Sequence, residues 1–305
     1  MDKNILTDLQ RNCRLSYQEL SRKYGISANA IRRRILNMEE TGVISGYSIF
    51  MSPAMTDTGF LFGLLSTDGS RDEVEMVEEI GSSKYVMAAS SYTDGLYALV
   101  AEYHGPQELQ ELGSFLRTLD SVIGAELHTI IGTWGAKMNL TKTHLRILEP
   151  LLDDPRLPIV DVAQKTGLTA RRVRRLLAEF EENNALRFAT LIELGADRSL
   201  PFIVRILWNE KTTKYSTITE LLETEYPINH RETYISASEP VIYSLLVADN
   251  IAQLVEIVRS IRKNEYVTSV KVLISGYHQY FSSYRHEKLI QMVKSGKKQN
   301  FDVNV

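Results

Sequence analysis

The sequence has little of what disulfide-bonded or membrane-spanning proteins are made from. Its 305 residues include one cysteine, Cys13, which excludes an internal disulfide and favours a reducing compartment such as the cytoplasm. Cys13 is expected to pack in a core rather than to act in redox chemistry. No apolar run approaches the roughly 18 residues that a membrane span requires, and the polar amino terminus does not resemble a signal peptide. We therefore expect a cytoplasmic protein with no membrane partner.

Motifs of the common enzyme classes are also missing. The sequence has no glycine-rich phosphate loop, no nucleophile elbow and no Cys/His cluster with metal-ligand spacing. Its six histidines are scattered through different predicted elements. The chain is therefore predicted not to be an enzyme, with no catalytic residue, metal site or cofactor.

Excess charge of either sign is confined to parts of the chain. The net charge is −3, yet residues 1–55 carry 8 Lys/Arg against 5 Asp/Glu, whereas residues 56–140 carry 4 against 13. Attraction to phosphate depends on the local patch rather than on the whole chain. A nucleic-acid-binding amino-terminal domain beside an acidic domain is thus compatible with the composition.

The stretch from Ser16 to Pro53 carries the strongest local signal. Ser16 and Glu19 have the spacing of a capping box, which predicts a helix beginning at Tyr17. Gly25 predicts its end, and Ser27 can cap a second helix that begins at Ala28. Two such helices joined by a tight turn predict a helix-turn-helix.

The second helix has one apolar and one basic face. Ile31, Ile35 and Met38 fall on one side, whereas Asn29 and Arg33 point the opposite way. Arginine pairs with guanine edges in the major groove, and asparagine pairs with adenine. The predicted DNA-binding residues of this helix and its cap are Ser27, Asn29, Ala30, Arg32, Arg33 and Arg34. The alternative is a basic helix face that is merely solvated.

A segment of alternating apolar and polar residues, VISGYSIFMSP, follows this helix and predicts a β-wing. The combined pattern comprises Ser27, Ile31, Arg34-Ile35, Glu39, Gly42, Val43-Ile44, Gly46-Tyr47 and Pro53. It resembles the winged helix-turn-helix of the Lrp/AsnC (feast/famine) transcriptional regulators. The resemblance implies that a βαββαβ effector and assembly module of the RAM/AsnC type comes next. The periodicity agrees, because strand-like and helix-like segments alternate in that order from Gly59 onward.

The whole plan then repeats. A shift of 142 residues places Ile147 on Ile5 and Gly167 on Gly25, and Arg174-Arg175 on Arg32-Arg33. We read this as a tandem duplication. The predicted fold class is α+β, a tandem repeat of a winged helix-turn-helix followed by a ferredoxin-like βαββαβ module. The predicted domains are helix-turn-helix domains at 1–55 and 141–196, modules at 56–140 and 197–282, and a basic helix and tail at 283–305.

The second recognition helix is the more basic one. Its predicted DNA-binding residues are Thr169, Arg171, Arg172, Arg174 and Arg175, acting mainly on phosphates. It departs from the family pattern at Leu176, which replaces the arginine matching Arg34, at Asn184, and at Phe188-Ala189. One alternative is that only the first head binds DNA and the second mediates assembly.

These features predict a sequence-specific regulator of double-stranded DNA. The two modules are expected to pair within one chain as a pseudo-dimer, with further self-association to a homodimer or higher oligomer. The C-terminal helix is expected to pack on a module. By resemblance, a small-molecule effector such as an amino acid would bind at Tyr92, Thr93, Asp94 and Gly95, which are equally explained as turn residues. A second alternative is an enzyme like the siroheme decarboxylases, which share this architecture, with His128 and His278 as its candidate residues.

Overall fold

The computed structural model describes residues 1–131, 134–196 and 199–298 in two compact units. The head unit comprises Met1–Asp57, Trp134–Ala196 and the C-terminal helix, and the sheet unit comprises residues 58–131 and 199–283. Each half of the repeat therefore contributes its helix-turn-helix to one unit and its module to the other. The predicted α+β tandem architecture is confirmed, and the exact domain boundaries stay a prediction.

The elements of the first half follow the predicted order. They are α1 (Asp2–Arg11), α2 (Tyr17–Tyr24), α3 (Ala28–Glu40), β1 (Ile44–Met51), β2 (Gly59–Thr67), α4 (Glu73–Gly81), β3 (Val86–Tyr92), β4 (Leu96–Tyr103), α5 (Gly105–Thr118) and β5 (Val122–Ile131). Short 3₁₀ turns occur at Pro53–Met55 and Thr93–Gly95.

The second half repeats this order and adds a terminal helix. Its elements are α6 (Lys142–Asp153), α7 (Ile159–Thr166), α8 (Ala170–Glu182), β6 (Leu186–Ile192), β7 (Leu200–Trp208), α9 (Tyr215–Glu225), β8 (His230–Ser236), β9 (Val241–Ala248), α10 (Ile251–Lys263), β10 (Val267–Tyr280) and α11 (Tyr284–Lys298).

The first helix-turn-helix is set by its local sequence. Ser16 Oγ accepts from the Glu19 N–H at 3.2 Å, and the Glu19 carboxylate accepts from the Ser16 N–H at 2.8 Å. This reciprocal pair satisfies amides that a helix start leaves open. Gly25 ends α2 with φ +68, and Ser27 caps α3 by accepting from the Ala30 N–H at 3.2 Å. The predicted turn is therefore confirmed in its details.

The two predicted wings pair with each other. β1 and β6 form an antiparallel two-stranded sheet that runs from Ile44 opposite Ile192 to Met51 opposite Leu186. A single short strand would leave a row of unpaired backbone groups, and its counterpart from the other half satisfies them. The two heads are thereby joined edge to edge within the head unit.

The C-terminal helix packs in the head unit, so the expectation that it would pack on a βαββαβ module is wrong. Leu289 and Val293, one helical turn apart on α11, are buried in the core of the second head beside Ile147 and Leu151. Arg285 is also buried and donates to the Met51 carbonyl oxygen. The sequence predicted a helix here but not the surface that it covers.

Truncating a core residue of α11 should therefore destabilise the heads. Leu289 is fully buried, so we expect Leu289→Ala to lower the free energy of unfolding of the head unit by about 2–4 kcal/mol. Urea unfolding followed by Trp134 fluorescence in a Trp208→Phe background measures this, because Trp134 lies in the head unit. An equal loss from Ile290→Ala, a half-buried neighbour on the same helix, would contradict this assignment of the buried face.

The two modules pair within one chain, as predicted. Their eight strands form one closed sheet in the order β10-β3-β4-β2-β5-β8-β9-β7. Each module contributes four strands, which are joined to the other module by β5 with β8 and by β10 with β3. The β5–β8 junction is short, with Ile130 opposite Ser236 and Ile131 opposite Ile235, so β8 covers only the end of the β5 edge. The core between the modules includes Phe62 and Tyr243, whose rings stack 4.3 Å apart.

Candidate nucleic-acid interface

Helix α3 divides its residues between the core and the surface as predicted. Ile31, Ile35 and Met38 are buried in the core of the first head. Asn29, Arg32 and Arg33 are exposed around the helix start, Ser27 is exposed at its cap, and Ala30 is half-buried. An exposed helix start combines outward amides, the positive end of the helix dipole and guanidinium groups. This surface can receive both phosphates and base edges.

Arg34 has a different position from its two neighbours. Its Nη1 lies 2.6 Å from Oδ1 of Asp2 on α1, and its side chain is half-exposed. This ion pair connects α3 to the first helix of the head. Its role as a DNA-binding residue stays a prediction, and the exposed polar side chains at the start of α3 are those of Asn29, Arg32 and Arg33.

Helix α8 presents an arginine surface in the second head. Arg171, Arg174 and Arg175 are exposed, and Arg172 is half-buried. Thr169 caps the helix by accepting from the Arg172 N–H at 3.2 Å. Arg175 also lies 3.2 Å from the carboxylate of Glu179, one turn along the same helix. An exposed ion pair of this kind is weak, so the Arg175 guanidinium remains available to contact a phosphate.

Two of the departures from the family pattern in the second head serve packing, whereas Asn184 is exposed and keeps the positive φ of Gly42. Leu176, which replaces the arginine matching Arg34, is buried with 1% exposure. Phe188, in the position of a wing glycine, is buried in the same core. The exposed arginines are therefore carried by a helix whose other face is well packed.

Two arginines that connect the heads were not predicted. Arg14 Nη2 donates to the Leu157 carbonyl at 2.9 Å, and its Nη1 donates to the Pro155 carbonyl. Arg156, the repeat equivalent of Arg14, donates to the Tyr47 hydroxyl at 2.9 Å. Each arginine thus reaches from its own head into the other. Their alignment in the repeat was the one signal that could have identified them.

Cys13 is a packing residue, as expected. It is fully buried, and its N–H donates to the Phe188 carbonyl across the two heads at 2.8 Å. Burial raises the pKa of its thiol to about 12. The thiol therefore stays protonated near neutral pH and is a poor nucleophile.

The residues predicted to bind an effector form the turn between β3 and β4. Tyr92 is buried, and this burial raises its pKa, whereas Thr93 and Asp94 are exposed. Asp94 and Gly95 both have positive φ, and Thr67 Oγ1 donates to the Gly95 carbonyl at 2.9 Å. These contacts account for the residues as turn chemistry. Effector binding here stays a prediction.

His128 lies in a buried polar cluster where β5 meets the second module. Its Nδ1 lies 3.0 Å from Ser236 Oγ and its Nε2 lies 3.1 Å from the Tyr243 hydroxyl. Glu126 and Arg205 contact the same tyrosine hydroxyl, at 3.2 and 3.1 Å. Burial lowers the pKa of His128, although the charges of Glu239 and Glu126 oppose this. The imidazole is thus held neutral with both ring nitrogens in contact with hydroxyls.

This cluster predicts a loss of stability in acid. The unfolded chain takes up a proton at His128 below about pH 6.5, whereas the folded chain resists it. The free energy of unfolding therefore decreases as the pH is lowered through that range. We expect His128→Gln to reduce the fall by up to about 1.4 kcal/mol per pH unit, the contribution of one proton. Urea unfolding of the sheet unit between pH 7 and 5, followed by Trp208 fluorescence in a Trp134→Phe background, measures it. Identical pH profiles for the two proteins would refute it.

Two features are absent from the parts of the chain that the structure describes. Across these residues, no helix has both the length and the apolar character needed to cross a membrane. Within the same ranges, no group of three or more His, Cys, Asp or Glu side chains could hold a metal ion.

Both heads match a known domain family. Residues 1–45 and 140–187 match the family described as winged helix-turn-helix DNA-binding. The chain is 42% identical over 52 residues to the HTH-type transcriptional regulator LrpA of Pyrococcus horikoshii, covering 17% of this chain and 37% of LrpA. It is 31% identical over 101 residues to the regulatory protein AsnC of Escherichia coli K12, covering 32% of this chain and 65% of AsnC. The chain is thus similar to regulators of the Lrp/AsnC type. Its two matches to one domain family fit a tandem form of this type, and it spans less than two thirds of the length of these two relatives.

A solved structure matches the whole architecture. The siroheme decarboxylase NirDL covers 98% of this chain, and this chain covers all of NirDL, with a TM-score of 0.52 and 14% sequence identity. At this identity the likeness concerns the fold alone. The tandem arrangement of this chain therefore occurs in another solved protein.

Proposed function

We propose that this protein is a transcriptional regulator of the Lrp/AsnC type that binds double-stranded DNA sequence-specifically through two non-identical heads. The observation that carries the proposal is the exposure of Asn29, Arg32 and Arg33 at the start of α3, while the opposite face of that helix is buried. The similarity to LrpA, a transcriptional regulator by name, and to the regulatory protein AsnC supports it.

In the first head, the start of α3 enters the major groove. Arg33 and Arg32 reach guanine edges, Asn29 reaches an adenine edge, and the amides of the first turn receive a phosphate. Ser27 and Ala30 lie close to the groove, with Ser27 already occupied as the cap. Sequence preference therefore comes mainly from this head.

In the second head, α8 contributes affinity more than selectivity. It presents arginines but no exposed asparagine or glutamine along its first two turns. Arginines that have no exposed asparagine or glutamine beside them are suited to phosphate contacts. Such contacts hold a protein on the duplex without reading its sequence. Because β1 and β6 join the two heads, one chain can present both helices to one binding site with unlike halves.

The experiment that tests base reading is the Arg33→Ala variant. We expect it to weaken binding to the preferred duplex by about 1–3 kcal/mol and to relax preference at one base pair. Quantitative binding to a selected duplex and to its single-base-pair variants measures both effects. Arg259→Ala is the matched control, since Arg259 is an exposed arginine in the sheet unit. Equal weakening on every duplex would show that Arg33 does not read a base.

The decarboxylase alternative has less support. NirDL shares the fold and is a siroheme decarboxylase by name. In this chain, however, both ring nitrogens of His128 contact hydroxyls inside a buried cluster. A change in the visible absorbance of an iron uroporphyrin on mixing with the protein would favour the enzyme over the regulator.

A further inference from the structure

His144 is buried at the start of α6, and its imidazole is held on two sides. Its Nδ1 lies 3.0 Å from the backbone nitrogen of Thr141, which is a donor only. Nδ1 therefore accepts this hydrogen bond, and the single ring proton is on Nε2. The ring also packs against Phe180 on α8, with the two ring centres 5.2 Å apart. These contacts fix both the position of the ring and the nitrogen that donates.

The donating nitrogen faces the recognition helix of the second head. Nε2 of His144 lies 2.9 Å from Oε2 of Glu179 on α8. The other oxygen of that carboxylate, Oε1, lies 3.2 Å from Nε of Arg175. The side chain of His144 is 5% exposed, that of Glu179 is 33% exposed and that of Arg175 is 62% exposed. A chain of contacts thus runs from a buried ring to an outward-facing arginine.

The first head is linked differently at the same place in the repeat. Asp2 stands at the repeat position of His144, and it pairs with an arginine at the side of α3. Arg33 stands at the repeat position of Arg175, and the residue four positions after it is Asn37, which carries no charge. Both heads therefore join their first helix to their recognition helix. In the second head the link continues to an arginine that faces outward.

We propose that His144, acting through Glu179, positions the Arg175 guanidinium for contact with a DNA phosphate. The imidazole orients the carboxylate, and the carboxylate holds the guanidinium at Nε. Arginine has five N–H donors, so its terminal amino groups can still donate to a phosphate. An arginine that is already oriented loses less conformational freedom when it binds. His144 is thus a positioning residue, and this inference rests on the proposed function.

His144→Phe tests the inference without changing the net charge, because a ring with a single proton on its nitrogens is replaced by another uncharged ring. We expect this variant to bind a duplex about threefold to tenfold more weakly, the cost of ordering one long side chain on binding. In an Arg175→Ala background the same exchange should have no further effect, since no guanidinium is left to position. Quantitative binding by all members of this double-mutant cycle measures both effects. An equal loss in the two backgrounds would overturn the inference.

Thr141→Ala is the matched control for the helix start. His144→Phe also removes the acceptor of the Thr141 N–H, which weakens the cap of α6. Thr141→Ala weakens the same cap by removing the hydroxyl that accepts from the His144 N–H at 3.3 Å, and it leaves Glu179 untouched. We expect this control to bind the duplex as the unmodified chain does. A loss as large as that of His144→Phe would assign the effect to the cap and would refute the positioning role.

The Nε–H group of Arg175 gives a readout that does not need DNA. Its ¹H–¹⁵N signal, identified by its absence in Arg175→Lys, should show hydrogen exchange that the Glu179 carboxylate slows. His144→Phe should remove this protection, whereas Thr141→Ala should keep it. A chain that binds no duplex would overturn the proposed function and this inference with it. A chain that binds a duplex, and whose Arg175 signal stays protected in His144→Phe, would overturn the inference alone.

Discussion

Replacing Arg171, Arg174 and Arg175 together by alanine is expected to weaken binding to any duplex by about 100- to 1,000-fold near 0.1 M salt. Each phosphate contact adds about 0.9 to the slope of log affinity against log salt, which near 0.1 M salt corresponds to somewhat less than tenfold in affinity. These three arginines are the exposed ones of α8. The slope itself should therefore fall by about two to three units, while the order of preference among sequences stays the same.

Binding titrations at several salt concentrations, on a preferred and on an unrelated duplex, measure both quantities. The matched control is Lys211, Arg259 and Lys263 to alanine, which removes three exposed positive charges from the sheet unit. The control variant loses the same net charge as the α8 variant, but at a different place in the molecule. If both triple variants lose the same affinity, the effect belongs to overall charge and not to α8.

The same titration decides between the two roles of the second head. If the α8 variant binds as tightly as the unmodified chain, the second head mediates assembly and the first head alone contacts DNA. If the α8 variant loses more affinity than the control variant and keeps the same order of preference among duplexes, the second head binds phosphates. The two outcomes differ by at least tenfold, which ordinary titration resolves.

Features set by neighbouring residues could be predicted from the sequence. The Ser16 and Glu19 pair, the left-handed Gly25 and the Ser27 cap depend on residues only a few positions apart, and all three occur as predicted. The division of α3 into buried and exposed faces follows from its period of 3.6 residues. The two modules and the order of their elements could be predicted because strand-like and helix-like periods alternate along the sequence and because the whole pattern repeats.

Features that need partners distant in sequence could not be predicted. Arg34 lies at the side of α3, and only the fold brings Asp2 to it from 32 residues away. The wing pattern of β1 showed a strand but not its partner β6, which lies more than 130 residues later. Helix α11 was placed on the wrong surface because the sequence of a helix does not identify which core its apolar residues enter.

The pairing of the heads leads to the second large prediction. Arg14→Ala is expected to lower the free energy of unfolding of the head unit by about 2–3 kcal/mol, because the carbonyls of Pro155 and Leu157 lose a charged donor. The guanidinium also lies 5.6 Å from the centre of the Phe188 ring, so packing is lost as well. Urea unfolding with Trp134 as the reporter measures this loss. Arg22→Ala, an exposed arginine on α2 with one long hydrogen bond, should stay within about 0.5 kcal/mol of the unmodified chain.

The same variant tests whether the joined heads act together on DNA. If β1, β6 and the two inter-head arginines hold α3 and α8 for one binding site, Arg14→Ala should weaken binding to a duplex with both half-sites. Binding to a duplex with only the half-site of the first head should be unchanged, since Arg14 lies outside α3. A single-chain regulator with fixed heads gains affinity because the second contact becomes intramolecular. Equal losses on both duplexes would mean that Arg14 supports the fold of the heads without coupling their contacts to DNA.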